Sequence, residues 1–141
     1  AGRLPAGYAY TLPTEAQWEY VYRAGTTSDY PGEMEDLAWH KNNSEESTHK
    51  VAQKRSSAWG FFDMAGNVME WCLDCYGPYP GGVIADPSGP RRGYYRTGRG
   101  GSWRTDLRLT RSAARSGGSG GRMDYTMVFR LALGARPADV D

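Results

Sequence analysis

The residues best placed for chemistry are two carboxylates in one glycine-containing segment. Asp63 and Glu70 enclose Gly66 in the stretch Asp-Met-Ala-Gly-Asn-Val-Met-Glu. Calcium takes about six to eight oxygen ligands, drawn from carboxylates and backbone carbonyls. Glycine at position 66 permits a turn that directs carbonyls inward. The segment is therefore a candidate calcium site; alternatively, the two carboxylates cap the turn or pair with arginines.

Cysteines and histidines form weaker candidate sites. Cys72 and Cys75 have the C-x-x-C spacing, but a structural zinc site needs four ligands and a redox pair needs a helix N-terminus. In the strand predicted here, residues i and i+3 face opposite sides, which disfavours a disulfide. We expect two buried thiols. His40 and His49, with no third ligand in view, make a poor iron site and are interpreted as solvated loop residues.

Charge is unevenly distributed along the chain. Residues 1–90 contain 6 basic and 12 acidic side chains, whereas residues 91–141 contain 11 basic and 4 acidic ones. The basic half could bind an anionic ligand, but pairing between the two halves is favoured because arginine suits buried ion pairs; nucleic acid is not expected as a partner. The expected pairs join Arg111, Arg115 and Arg130 to Glu70, Asp74 or Glu19.

The clearest element that could position these groups is a helix over residues 15–24. Thr14 and Gln17 form a capping box at its start, and Gly25 supplies its end. Its apolar face consists of Trp18, Val21 and Tyr22. No apolar run approaches the roughly 18 residues of a membrane span.

The remainder of the chain predicts short strands between long loops. A buried strand covers residues 69–76, and further strands are predicted at 98–103, 111–115 and 128–133. The stretch 77–93 is rich in proline and glycine and predicts a surface excursion, and residues 117–121 predict a flexible loop or turn. One helix followed by several strands indicates an α+β domain with an antiparallel sheet.

Four ordered motifs carry a family resemblance: LPTEAQWEY at 12–20, the block 59–71 with WG and DMAGNVMEW, RGGSW at 99–103, and Phe129-Arg130. They resemble the formylglycine-generating enzyme, or sulfatase-modifying-factor, family. The resemblance implies an irregular C-type lectin-like fold over residues 1–135, with 136–141 as a tail. Family domains usually carry a further N-terminal stretch, so the chain is expected to be a short version or a fragment.

The resemblance also implies ligands for the candidate metal site. In the family, calcium is held by a side chain at the Asp63 position, by carbonyls at the Gly66 and Val68 positions, and by a carboxylate at the Glu70 position. The family's oxidases hold copper with two cysteines that follow the Gly-Gly-Ser motif, and residues 104–110 contain none. Calcium is therefore the expected cofactor, copper and iron are not expected, and no catalytic residue is assigned.

Other relatives in this family are the variable proteins of diversity-generating retroelements, which rewrite surface positions between Gly-Gly-Ser-Trp and Phe-Arg. The corresponding binding positions are Arg104, Thr105, Asp106, Leu107, Ser116, Gly117, Gly118, Ser119, Asp124, Tyr125 and Thr126. Small and aromatic residues on a stiff frame suit recognition. The sequence therefore predicts a non-enzymatic domain that binds a protein or glycan. The alternative is an oxidoreductase, a sulfatase-maturation-like enzyme or an accessory domain whose active residues lie outside this chain. No compartment is predicted.

Overall fold

Helix α1 (Glu15–Arg23) begins at the predicted residue and ends one residue before the predicted end. The computed structural model describes residues 3–90, 92–119 and 125–135. Thr14 accepts from the Gln17 amide at 3.2 Å, and the Gln17 side chain accepts from the Thr14 amide at 2.9 Å, which completes the capping box. The helix ends at Ala24, whose φ of 46° lies in the left-handed region, and Gly25 follows with φ 88°.

Among the described residues, two small sheets, one further short α-helix and the 3₁₀ helix Leu107–Leu109 complete the α+β architecture. The second helix is α2 (Met34–Leu37), and the strands are β1 (Tyr8–Thr11), β2 (Met69–Cys75), β3 (Arg96–Arg99), β4 (Arg115–Gly118), β5 (Met127–Phe129) and β6 (Ala132–Ala135). β1 pairs with β6, and the larger sheet has the order β4-β3-β2-β5. Its β2–β5 pair is parallel and the others are antiparallel. The sheet predicted as antiparallel is therefore mixed.

Several predicted strand boundaries were wrong. The strand expected at 98–103 stops at Arg99, because Gly100 and Gly101 have φ values of 89° and 68°. The strand expected at 111–115 begins only at Arg115, and the predicted loop at 117–121 starts inside β4. The strand expected at 128–133 is two strands, β5 and β6. Residues 120–121 and the predicted tail 136–141 lie outside the described residues.

The apolar core forms between α1, α2 and β2. Trp18 and Tyr22 are 1% and 0% exposed and stack with centroids 5.2 Å apart. The remaining buried members are Met34, Leu37, Ala38, Met64, Ala65 and Cys72. Val21 is partly buried and packs against this cluster, so the predicted helix face is confirmed.

A close backbone approach fixes the glycine-containing segment against the loop before it. Gly66 has φ 68°, and a Cβ on it would lie 2.0 Å from the Trp39 carbonyl oxygen. The next residue, Asn67, donates its amide to that oxygen at 2.7 Å. Its side chain bonds both the amide and the carbonyl of His49, at 2.9 and 3.0 Å. Its carbonyl accepts from the Trp103 amide at 2.8 Å. Asn67 thus joins three segments that are distant in sequence.

Ion pairs join the acidic and basic halves of the chain, as predicted. Arg99 is fully buried between Glu15 and Glu19, and its guanidinium lies 5.2 Å from the Trp18 ring. Arg115 binds both oxygens of Glu15, at 2.6 and 2.7 Å. Arg99 was not among the predicted partners, and burial on β3 is what makes its pairing necessary.

Two of the three predicted arginine pairings need correction. Arg130 pairs with Glu70 at 2.7 Å, as expected. Arg115 binds Glu15 instead of the three predicted acids, because β4 lies at the sheet edge beside α1. Arg111 donates to the Arg108 carbonyl at 2.9 Å, so its hydrogen bond is local.

Candidate ligand-binding surface

Two parts of the predicted binding segment meet at one cleft. The Arg104 guanidinium donates to the Tyr125 hydroxyl at 2.6 Å, across 21 positions of sequence. The same guanidinium lies 5.4 Å from the Trp103 ring centroid and 5.8 Å from that of Tyr125. Together with Lys41 and Glu46 these residues line a cavity of about 460 Å³. The cleft combines aromatic faces with charges of both signs.

A hydrogen-bonded framework holds the Trp103 side of the cleft. The Ser44 hydroxyl donates to the Trp103 carbonyl at 2.8 Å. The Lys41 amide donates to the Thr105 carbonyl at 3.1 Å, and the Thr105 hydroxyl accepts from the Ser102 amide at 2.9 Å. The main chain of the 102–105 turn is therefore fixed, while the Arg104 side chain remains exposed.

Three predicted binding residues next to Arg104 have structural partners. Thr105 closes the turn just described. Asp106 accepts from the Arg108 amide and from its Nε, both at 3.0 Å, and caps the 3₁₀ helix Leu107–Leu109. These contacts, with the Arg108 guanidinium first, lower the pKa of the Asp106 carboxyl. Leu107 is partly buried against the apolar core.

The predicted residues of β4 lie apart from the cleft. A Cβ on Gly117 would meet the Tyr76 ring at 2.8 Å, and one on Gly118 would meet the Trp71 ring at 2.6 Å. Because neither glycine has a side chain, each leaves room for an aromatic ring to pack on the sheet. Ser116 lines a second recess of about 260 Å³ together with Thr105. Ser119 follows β4 and is partly exposed.

The remaining two predicted positions flank Tyr125. Asp124 lies outside the described residues. Thr126 accepts from the Met69 amide at 2.7 Å through its carbonyl, which holds the chain beside β2 before β5 begins. The structure thus brings Arg104 and Tyr125 together and gives their predicted neighbours other contacts.

Sequence reasoning missed three residues of the cleft: Lys41, Glu46 and Trp103. In the sequence, Trp103 stands out only as the last residue of the RGGSW motif. Lys41 and Glu46 come from a loop about 60 positions earlier, and no local pattern links them to the predicted binding segment. One backbone feature does mark their loop, since Glu45 and Glu46 have φ values of 52° and 55°. Such left-handed non-glycine residues often occur at functional sites.

The proposed calcium ligands already have partners within the protein. Glu70 accepts from Arg130 Nη2 through Oε1 at 2.7 Å, and from Trp18 Nε1 through Oε2 at 2.8 Å. Asp63 has φ 55° and accepts from the Ala52 amide at 2.7 Å. Val68 precedes β2 and is partly exposed. Calcium at Glu70 would compete with Arg130 for the same carboxylate, so calcium stays a prediction.

The histidines and cysteines have structural positions. His40 is 1% exposed, with Nε2 3.0 Å from Glu35 Oε1, so its assignment as a solvated residue was wrong. His49 is partly buried and stacks on Trp39 at 3.7 Å. The fold therefore buries His40 and partly covers His49. Cys72 and Cys75 are buried free thiols, as predicted, and burial raises the pKa of Cys72.

A larger groove of about 980 Å³ separates α1 from the proline-rich excursion, which includes Tyr79. Its floor contains Glu15 and Glu19, whose carboxylates are occupied by arginines. Tyr79 donates to Glu15 at 3.0 Å, and burial with the nearby Glu15 charge raises the pKa of Tyr79 to about 12. Both carboxylates on the floor of the groove and the Tyr79 hydroxyl therefore have partners within the protein. Among the described residues, no helix is long and apolar enough to cross a membrane.

Comparisons with known proteins agree with this architecture. Among solved structures, variable protein 1 of Treponema denticola superposes with a TM-score of 0.83 at 34% identity, covering 90% of this chain and 48% of that one. PvdO from Pseudomonas aeruginosa gives a TM-score of 0.75 at 25% identity, covering 89% of this chain and 52% of the other. The fold predicted from the motifs, that of the formylglycine-generating enzymes, is confirmed.

Curated relatives have diverse names. The serine/threonine-protein kinase pkn1 of Chlamydia caviae is 38% identical over 131 residues, which are 89% of this chain and 21% of the kinase. The formylglycine-generating enzyme of Streptomyces coelicolor is 36% identical over 111 residues, 65% of this chain and 35% of the enzyme. The chain thus spans about a fifth to a third of these relatives. A family model for the sulfatase-modifying factor enzyme 1-like domain matches residues 1–135. The chain therefore belongs to the sulfatase-modifying factor enzyme 1-like domain family.

Proposed function

We propose that this chain is a non-enzymatic ligand-binding domain whose recognition surface centres on the cleft of Trp103, Arg104 and Tyr125. The observation that carries the proposal is the meeting of Arg104 and Tyr125 at 2.6 Å, since they come from two separate parts of the predicted variable segment. The likeness to a variable protein at 34% identity supports it.

The composition of the cleft supports recognition. Tryptophan, tyrosine and arginine dominate the binding energy of many interfaces, because large rings and a planar cation provide area and directed hydrogen bonds. Tyr125 is 70% exposed. The main chain of Trp103 is held by Asn67 and Ser44, and the Thr126 carbonyl next to Tyr125 accepts from the Met69 amide. Side chains at 104 and 125 can therefore vary without loss of the frame.

The experiment has two readouts on the same variants. Arg104→Ser and Tyr125→Ser, singly and together, should retain the parent's melting temperature, because their side chains are exposed. The same double variant should lose the signals that the parent gives on arrays of glycans and surface proteins. As a matched control, Arg92→Ser changes an exposed arginine elsewhere. Array signals that are unaffected by the double variant would overturn the proposal.

We also propose that the segment is diversified by a retroelement. The predicted variable positions hold only residue types reachable from randomised asparagine codons. The genomic neighbourhood provides the test. A reverse-transcriptase gene and a template repeat that differs at adenines should lie nearby, and their absence would end this part of the proposal.

A second candidate is a domain of an enzyme whose active residues lie elsewhere in the polypeptide. The observation that favours it is the identity shared with the formylglycine-generating enzyme and with pkn1, of which the matched region is 35% and 21%. A transition-metal titration of the full gene product with an activity assay distinguishes the candidates. Stoichiometric copper or iron with turnover would favour the enzyme.

A further inference from the structure

We propose that the Trp103 cleft, meaning the cavity lined by Lys41, Glu46, Trp103, Arg104 and Tyr125, binds an acidic sugar: a sugar ring that carries a carboxylate. This inference rests on the proposed function, because it names the ligand class of the same surface. It follows from the donors, acceptors and rings that the cleft presents.

The cleft has an excess of cationic donors. A guanidinium has about five N–H donors and an ammonium about three. Among the described residues, the Arg104 side chain makes one hydrogen bond, from Nη1 to Tyr125. Within residues 3–90, 92–119 and 125–135, neither Arg104 nor Lys41 forms an ion pair. A carboxylate, which accepts from several donors at once, is the natural complement of these two cations.

The two aromatic rings favour a ligand with an apolar face beside its charge. Trp103 and Tyr125 have centroids 6.3 Å apart and planes inclined by 33°. The Arg104 guanidinium carbon lies 5.4 Å from the Trp103 centroid and 5.8 Å from the Tyr125 centroid, so it is close to both rings. A carboxylate bound there would project the body of its ligand over the rings. A cavity of about 460 Å³ lies within the usual size range of small-ligand pockets, about 300–1,000 Å³.

Glu46 is the feature that favours a sugar over an anion without hydroxyl groups. Its carboxylate accepts hydrogen bonds only and would repel a simple anion. Sugar hydroxyls can donate to it while the sugar's own carboxylate meets Arg104 and Lys41. The backbone at Glu46 has φ 55°, an unfavourable conformation for a non-glycine residue, yet this conformation places the side chain at the cleft.

The test compares three probes on one protein: methyl glucuronide, methyl glucoside and cyclohexanecarboxylate. The first has both charge and hydroxyls, the second lacks the charge, and the third lacks the hydroxyls. Binding is followed by two-dimensional NMR through the indole N–H of Trp103, assigned with Trp103→Phe. We expect methyl glucuronide to bind about tenfold more tightly than either other probe, because each probe lacks one charge-assisted hydrogen bond.

Two variants assign the two preferences separately. Arg104→Gln should reduce the preference for methyl glucuronide over methyl glucoside severalfold, because one of the two cations that bind the carboxylate is gone and only Lys41 remains. Glu46→Gln should instead reduce the preference for methyl glucuronide over cyclohexanecarboxylate about tenfold. Arg55→Gln and Glu33→Gln, both exposed and outside the cleft lining, are matched controls. Melting temperatures confirm that each variant is folded.

The outcomes separate this inference from the proposed function. Equal binding of methyl glucuronide and methyl glucoside, or a preference that Arg104→Gln leaves intact, would overturn the acidic-sugar ligand. In that case, array signals that still depend on Arg104 and Tyr125, for instance with a protein ligand, would leave the proposed binding function standing without the acidic-sugar ligand. If the cleft variants change neither the array signals nor the preference for methyl glucuronide, both the acidic-sugar inference and the proposed binding function are wrong.

Discussion

Gly66→Ala should destabilise the protein far more than its small size suggests. A Cβ at this position would lie 2.0 Å from the Trp39 carbonyl oxygen and 2.7 Å from its carbon, so the two backbones must separate. Separation breaks the Asn67–Trp39 hydrogen bond of 2.7 Å and strains the Gly66–Gly100 bond of 2.9 Å. Two hydrogen bonds at about 1 kcal/mol each and a left-handed alanine at about 1 kcal/mol give a loss of about 3 kcal/mol.

Gly60→Ala is the matched control for this change. Gly60 has φ 79°, and no atom lies within 4 Å of its added Cβ. Both variants share the backbone cost and the effect of alanine on the unfolded chain, so their difference of about 2 kcal/mol measures the close approach. Equilibrium urea unfolding followed by tryptophan fluorescence provides both free energies. Equal losses in the two variants would refute the reasoning.

Three further predictions concern the buried charges, the carboxylates and the thiol. Arg99→Met should lower the unfolding free energy by about 3 kcal/mol, because it leaves Glu15 and Glu19 without their shared buried cation; urea unfolding should show no comparable loss for Arg108→Met, whose pair with Asp106 is exposed. We predict that Glu70→Ala lowers the melting temperature in calcium and that chelation reproduces the loss in the parent; a parent with equal melting temperatures in calcium and in chelator has no such site. Burial raises the pKa of Cys72, so the folded state keeps the thiol neutral. The contribution of this thiol to the free energy of unfolding is fully present below its unfolded-state pKa of about 8.5. It decreases as the pH rises above that value, because the unfolded chain then loses the proton while the folded state keeps it. Urea unfolding between pH 7 and 10 should show a smaller decrease for Cys72→Ala than for the parent, and identical slopes would contradict the assignment.

The helix and the family motifs could be predicted because their signals are local. Thr14 and Gln17 lie within one turn, so their reciprocal hydrogen bonds depend on little else. Strand β1 was missed, although Tyr8 and Tyr10 alternate with smaller residues. Its partner β6 lies more than 120 positions away, and two short strands stabilise each other only when folding brings them together.

The existence of arginine ion pairs could be predicted from the sequence, but most of their partners could not. Opposite charge in the two halves correctly predicted internal pairing. The partner of each arginine depended on register, since β3 places Arg99 opposite Glu70 while its side chain pairs with Glu15 and Glu19 on α1. Charge content sets the number of possible pairs, and only the packing of α1 on the sheet selects among them.

The Trp103 cleft depends most on tertiary structure. The sequence alone determined the family, the capped helix, the buried thiols and the segment that carries Arg104 and Tyr125. Tertiary structure decided that these two side chains meet, that Lys41 and Glu46 join them from a distant loop, and that Arg130 binds Glu70. The physical reason is that local motifs are fixed by neighbours a few residues apart, whereas the cleft requires the long-range hydrogen bonds that Asn67 makes to the segments around it.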